Sequence, residues 1–164
     1  MRTMNLDTLV SVGQRPWRPV AGAEDVDVWD KFDFPTLGTF RLGPDLIIFT
    51  LITTAGMRSL WAYVPVPAGL QKIVTETRFE SDTEFDAFLA ACFADREAVF
   101  AAAENFIITA KSDGVRIGTD RHALLAAAAR WYIARVSARM SHPVSAEPDA
   151  LLLATQGVIA ASPV

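Results

Sequence analysis

Residues 85–110, FDAFLAACFADREAVFAAAENFIITA, decide how the second half of this chain is read. Phe85, Leu89, Cys92, Arg96, Val99, Ala103, Phe106 and Ala110 follow one another by alternating steps of four and three, and Phe88, Phe93, Phe100 and Ile107 widen the stripe. That spacing is the signature of one face of an α-helix. The stripe is too broad for the two-position seam of a coiled coil and fits a helix that closes a sheet. Ser81-Asp82-Thr83-Glu84 forms a capping box at its start. Ser112-Asp113-Gly114 supplies a stop. The expectation is a helix over about 81–111, in one piece or in two joined near Asp95. Arg96 is the one charge in phase with the stripe: if it is exposed, the helix must break or turn close to Asp95.

Upstream, the period changes from helical to strand-like. Val26, Val28, Phe32 and Phe34 alternate with Asp25, Asp27, Lys31 and Asp33, as in a half-buried strand. Pro35 and Gly38 bracket a turn, a short strand runs from Thr39 to Leu42, and Gly43-Pro44-Asp45 marks another turn. Residues 46–54 are nearly all apolar and rich in β-branched side chains, which suits a central strand covered on both faces. In residues 58–66, Leu60, Ala62, Val64 and Val66 fall on one face and Trp61 and Tyr63 on the other. Residues 71–80 could add a further strand. Connections this short imply an antiparallel meander.

Downstream, Val115 to Ile117 is an edge strand or a linker. A second helix spans about 120–141, capped by Thr119 or Asp120 and stopped before Pro143. The apolar segment 150–161 is ambiguous in type. The chain therefore reads as a single α+β domain over 1–164, strand-rich in 1–80 and helical in 81–164. Its antiparallel β-meander of four or five strands is covered by the two helices.

Bulk properties narrow the function classes. The 164 residues carry a net charge of −4, which argues against nucleic acid as a partner. Residues 81–113 hold seven acids and two bases, whereas residues 114–142 hold five bases and one acid. The lone cysteine, Cys92, sits on the apolar stripe and reads as a structural thiol in a reducing compartment. The N-terminal residues lack the apolar core of a signal peptide and no stretch is long enough for a membrane span, so a soluble, cytoplasmic protein with no membrane partner is expected. The 51% hydrophobic content and positive mean hydropathy suggest that a second chain covers some of the surface.

Chemistry-bearing motifs are missing: there is no nucleophile elbow, no phosphate-binding glycine loop and no dinucleotide fingerprint. No cofactor is implied. Asp25, Asp27, Asp30 and Asp33 lack the glycine and terminal glutamate of a calcium loop, and alternation explains Asp25, Asp27 and Asp33 as the solvent face of a strand, so no metal site is assigned. His122 reads as a structural histidine; with Asp120 and one of Glu76, Arg78 or Glu80 it would make a general acid–base site only if the last strand lay alongside. His142, near a helix end, suits the helix dipole.

On the second helix, Leu125, Ala129, Ile133, Val136 and Met140 form the expected core stripe. Leu124, Trp131, Arg135 and Arg139, flanked by Arg121 and His142, gather on another side. Tryptophan among arginines is the composition of interface hot spots. The leading expectation is thus a non-enzymatic interaction or assembly module, a homodimer or a partner of another protein, using Leu124, Trp131, Arg135 and Arg139 or the apolar C-terminal segment. The alternative is a small-molecule-binding protein or enzyme with an apolar pocket between sheet and long helix, lined by Trp61, Tyr63, Phe88, Phe100 and His122.

Overall fold

The helix that starts at Ser81 stops at Phe93. The computed structural model describes residues 5–76, 81–93, 96–118 and 121–140. Strands β1 (Glu24–Lys31), β2 (Pro35–Leu42), β3 (Asp45–Ala55) and β4 (Arg58–Pro65) lead into helices α1 (Ala68–Glu76) and α2 (Asp82–Phe93). Strands β5 (Glu97–Glu104), β6 (Ile107–Lys111) and β7 (Val115–Arg116) follow, then helix α3 (Arg121–Met140). The architecture is α+β, with an antiparallel sheet of seven strands in the order β1-β2-β3-β4-β5-β6 and β7 also paired to β5. None of the helices described is long and apolar enough to cross a membrane.

The expected helix over 81–111 is therefore half helix and half β-hairpin. Its first part is as anticipated: Ser81 Oγ accepts from the Glu84 N–H at 3.2 Å, and Arg96 is exposed just beyond the helix end. The remainder was hidden by an alias between two periods. A step of four residues returns to the same side of a helix and also to the same side of a strand. Only the steps of three discriminate, and the two beyond Phe93 fall at breaks. Arg96 to Val99 lies at the entry to β5, and Ala103 to Phe106 crosses a turn. Within β5, Ala98 and Phe100 face one core and Val99, Ala101 and Ala103 the other.

Glu104 and Ile107 are register partners, so Asn105 and Phe106 form a two-residue hairpin loop, at φ of 50° and 60°. Left-handed backbone at both positions is what a hairpin turn matching the twist of its strands requires. A phenylalanine there is strained by about 1–3 kcal/mol, and its ring contacts hold it in place.

Of the segment 71–80 expected as a further strand, residues 71–76 are helix and residues 77–80 lie outside the described residues. Leu70 and Val74, four apart, pack α1 onto the sheet, and Thr75 Oγ1 donates back to the carbonyls of Gln71 and Lys72. The β-branched run Ile73, Val74 and Thr75 lowers helical propensity only slightly, and packing overrides it. Residues 1–80 hold β1 to β4 and one α-helix, and β5 to β7 lie beyond residue 81, so strands are not confined to the first half.

Both faces of the sheet are apolar. On one, Leu46, Ile48, Leu60, Ala62, Val64 and Phe100 meet Val74 of α1, Phe88, Leu89 and Cys92 of α2, and Leu124, Ala128 and Tyr132 of α3. On the other, Phe40, Ile47, Phe49, Trp61, Tyr63 and Val99 are covered by the N-terminal segment, residues 5–23, through Leu6, Leu9, Val10, Trp17 and Val20. This segment has only a short 3₁₀ turn at Leu6–Thr8, and we refer to it as the strap.

Strand β1 is the bulged outer edge. Asp25 has φ of 51°, and the pairing with β2 slips three times. At the bulge β1 presses onto Gly38, where an added Cβ would lie 2.2 Å from the Asp27 carbonyl oxygen and 2.9 Å from the Phe49 ring. Gly38→Ala is accordingly expected to cost about 2–3 kcal/mol, read as a fall in the denaturation midpoint with an unchanged slope. A wild-type midpoint would refute the close approach of β1.

Candidate functional site

The candidate site is built on the strap face and the end of the sheet it adjoins. Strap residues Pro16 and Pro19 favour an irregular course over a helix or a ladder strand, so their neighbours' polar groups need individual partners. Tyr63 supplies one: its buried hydroxyl donates to the Pro16 carbonyl at 2.6 Å. Lys111 Nζ donates to the carbonyls of Asp7 and Val10 at 2.7 and 2.8 Å. The Gly13 N–H donates to the Ile108 carbonyl, and the Ile108 N–H to that of Gln14, closing the strap along β6.

Trp17 is the centre of this face. Its ring stands 5.8 Å from Phe106, 6.3 Å from Phe34 and 6.4 Å from Trp61. Phe34 and Phe106 themselves approach to 4.5 Å between centroids. These two residues belong to the β1–β2 and β5–β6 turns, so the sheet curls until its first and last hairpins touch over Trp17.

Strand order places the β1–β2, β3–β4 and β5–β6 turns at one end of the sheet. The Asn105 N–H donates to the Met57 carbonyl at 2.8 Å, joining the last two. Large apolar side chains are left in solvent here: Phe32 is 76% exposed, Met57 58% and Ile107 37%. Arg58 and Glu104, paired at 2.9 Å across β4 and β5, lie beside them.

The residues singled out in the sequence fall elsewhere. Leu124 is fully buried against the sheet, and Trp131 packs in the same core with its ring 6.2 Å from Phe100. Arg135 is exposed, and the Arg139 side chain lies outside the described residues. On the expected core stripe, Ala129 and Ile133 form a small buried pair of their own and Leu125 is half-buried.

Nor do the five pocket residues converge. Trp61 and Tyr63 face the strap, Phe100 and Phe88 of α2 lie in the core between sheet and helices, and His122 is exposed on α3. Glu76 ends α1, while Arg78, Glu80, Asp95, Asp120, His142 and the segment 150–161 lie outside the described residues. Among the described residues, no three His, Cys, Asp or Glu side chains gather as metal ligands would. Cys92 is buried, and desolvation pushes its thiol up to about 11 against a smaller lowering by Arg96.

The turn-end residues left no local signal. They become neighbours only through the strand order. Comparison adds nothing to this picture: no protein-family model matches the chain, and neither a curated protein nor a solved structure does so significantly.

Two outcomes follow from these contacts. Tyr63→Phe leaves the Pro16 carbonyl without its buried donor and should cost about 1–3 kcal/mol, with amide exchange accelerated in residues 9–19 more than in α3. Uniform acceleration would show that the bond does not tether the strap. Because the Cys92 thiol ionises near 11 when folded and more easily when unfolded, folding favours its protonated form. Stability should fall as pH rises from about 9 to 11, by at most about 3 kcal/mol from this group. Burial also raises the Tyr63 hydroxyl, so the Cys92 share is the part of the alkaline loss that Cys92→Ala abolishes in parallel titrations.

Proposed function

We propose that the protein is a non-enzymatic interaction module that associates through the turn end of its sheet, forming a homodimer in preference to a complex with another protein. The observation that carries this reading is that Phe32, Met57 and Ile107, in or beside the three turns at that end, keep large apolar side chains in solvent. Exposed large apolar side chains held at one end of a sheet are candidates for an interaction surface. The strained Phe106 supports it, since backbone held in a sparsely populated region concentrates where a shape must be presented to something else. The Arg58–Glu104 pair, with Arg58 next to Met57 and Glu104 the register partner of Ile107, would supply the polar rim of such an interface.

The α3 surface is a weaker basis for association than the composition of that helix suggests, because Leu124 and Trp131 are spent on the core. A ligand pocket between sheet and helices has less support still, as the aromatic side chains proposed to line it point to opposite faces. The protein is proposed to act in the cytoplasm, a reading that rests on its lone buried thiol.

Size-exclusion chromatography with light scattering across a hundredfold range of about 1–100 μM should show a concentration-dependent dimer. The double variant Phe32→Ser, Met57→Ser should be monomeric with a melting temperature at or above that of the wild type extrapolated to infinite dilution. A wild-type chain that remains monomeric throughout, or a double variant that dimerises equally well, would overturn the proposal.

A further inference from the structure

The strap carries a second feature that association does not use. Gln14, Arg15, Arg18, Val20 and Ala21 line an open hollow of about 250 Å³. Arg15 and Arg18 are the corners of a four-residue turn closed by the Arg18 N–H donating to the Arg15 carbonyl at 3.0 Å, so their Cα atoms lie within about 7 Å of one another. The two inner residues of that turn are its anchors. Pro16 is buried and accepts from Tyr63, and Trp17 is set among Phe34, Trp61 and Phe106. The arginines are thus presented outward from a fixed base, which reduces the ordering that binding would otherwise require.

Neither guanidinium has a carboxylate partner among the described residues. Arg15 lies over the Trp17 ring at 5.9 Å, and Arg18 uses one nitrogen, Nη2, on the Ala23 carbonyl at 3.0 Å. An arginine has five N–H donors, so most of the donor capacity of both is directed at solvent. Gln14 adds a neutral amide. Two permanent positive charges, a planar fork on each and no acid among the described residues that line the hollow make a receptor for a doubly charged oxyanion.

We propose that this hollow binds the phosphate group of a small, soluble phosphomonoester. The dianionic charge matches two guanidiniums, and the volume is below the roughly 300 Å³ at which pockets for larger ligands begin. An exposed site of this kind should bind weakly, with Kd of about 1 mM.

The test is a titration of the full ¹⁵N-labelled chain with inorganic phosphate and with glycerol phosphate, against chloride at matched ionic strength. Expected are shifts confined to the amides of residues 14–21 and to the side chains of Arg15 and Arg18, with glycerol phosphate at least as tight as phosphate. Arg15→Gln should weaken binding about tenfold with the melting temperature unchanged. Arg18→Gln also removes the bond to Ala23, so Arg18→Lys, which keeps the charge and loses the fork, separates lost recognition from a loosened strap; it too should weaken binding. Equal shifts at Arg130 and Arg135, equal response to chloride, or undiminished binding by Arg15→Gln would overturn the proposal. A phosphoserine peptide binding about tenfold tighter than glycerol phosphate would overturn the assignment to a small ester. Dimer formation is not read in this titration, so it fails or succeeds independently of the turn-end association.

Discussion

The structure depends on one constraint, that strands β3, β4 and β5 are apolar on both faces. In β4, Leu60, Ala62 and Val64 alternate with Trp61 and Tyr63, and every one of them is buried. A sheet of that kind cannot leave either side in water. Helices cover one side in the ordinary way, each burying a stripe. The other side receives a segment whose prolines disfavour a regular element, and the solution is backbone accounting at individual points. Tyr63, Lys111 and the Ile108 backbone each satisfy strap groups that neither helix nor ladder would have served. The tryptophan and tyrosine that make the second face apolar are also its fasteners: Tyr63 through its hydroxyl, Trp61 as a wall of the Trp17 cluster.

Much of the fold was legible because it is local. The run of β1 to β4, the turn at Gly43, the two sides of β4 and the Ser81 cap each follow from a few neighbouring residues, although the turn expected at Pro35 to Gly38 is the first half of β2. The second half was not, because β5 is an interior strand. A strand buried on both faces shows no alternation to set against a helical stripe, and an alanine-rich one such as 98–103 also carries helical propensity. The discriminating signals were small: the alternation of exposed Ile107, Thr109 and Lys111 with buried Ile108 and Ala110, and an asparagine at the point where the chain must turn left-handed.

The site was less legible than the fold for a related reason. Tryptophan and arginine on a helix describe an interface hot spot and equally a helix that docks on its own sheet, where tryptophan fills the core and arginine reaches past it. Helix α3 takes the second course, with Trp131 against Phe100 and Arg135 in solvent. What gathers at the turn end depends on connectivity instead. Because the 31 residues between β4 and β5 return the chain to the side of β4 from which it left, three hairpin turns share one end and bring Phe32, Met57 and Ile107 to it.

Edge geometry narrows the manner in which such a molecule could associate. An open sheet offers two edges for pairing with another chain, and both are guarded. The β1 edge carries Glu24, Asp25, Asp27 and Asp30, is broken by bulges, and would bring like charges together in a symmetric pair. Along β6, backbone groups of Ile108 are already bonded to Gly13 and Gln14 of the strap. Strand addition would therefore have to displace the strap or flatten β1, and either would expose Trp17 or disturb the close approach at Gly38. Association through side chains at the turn end requires neither change, since those residues are already in solvent with their backbone bonds made.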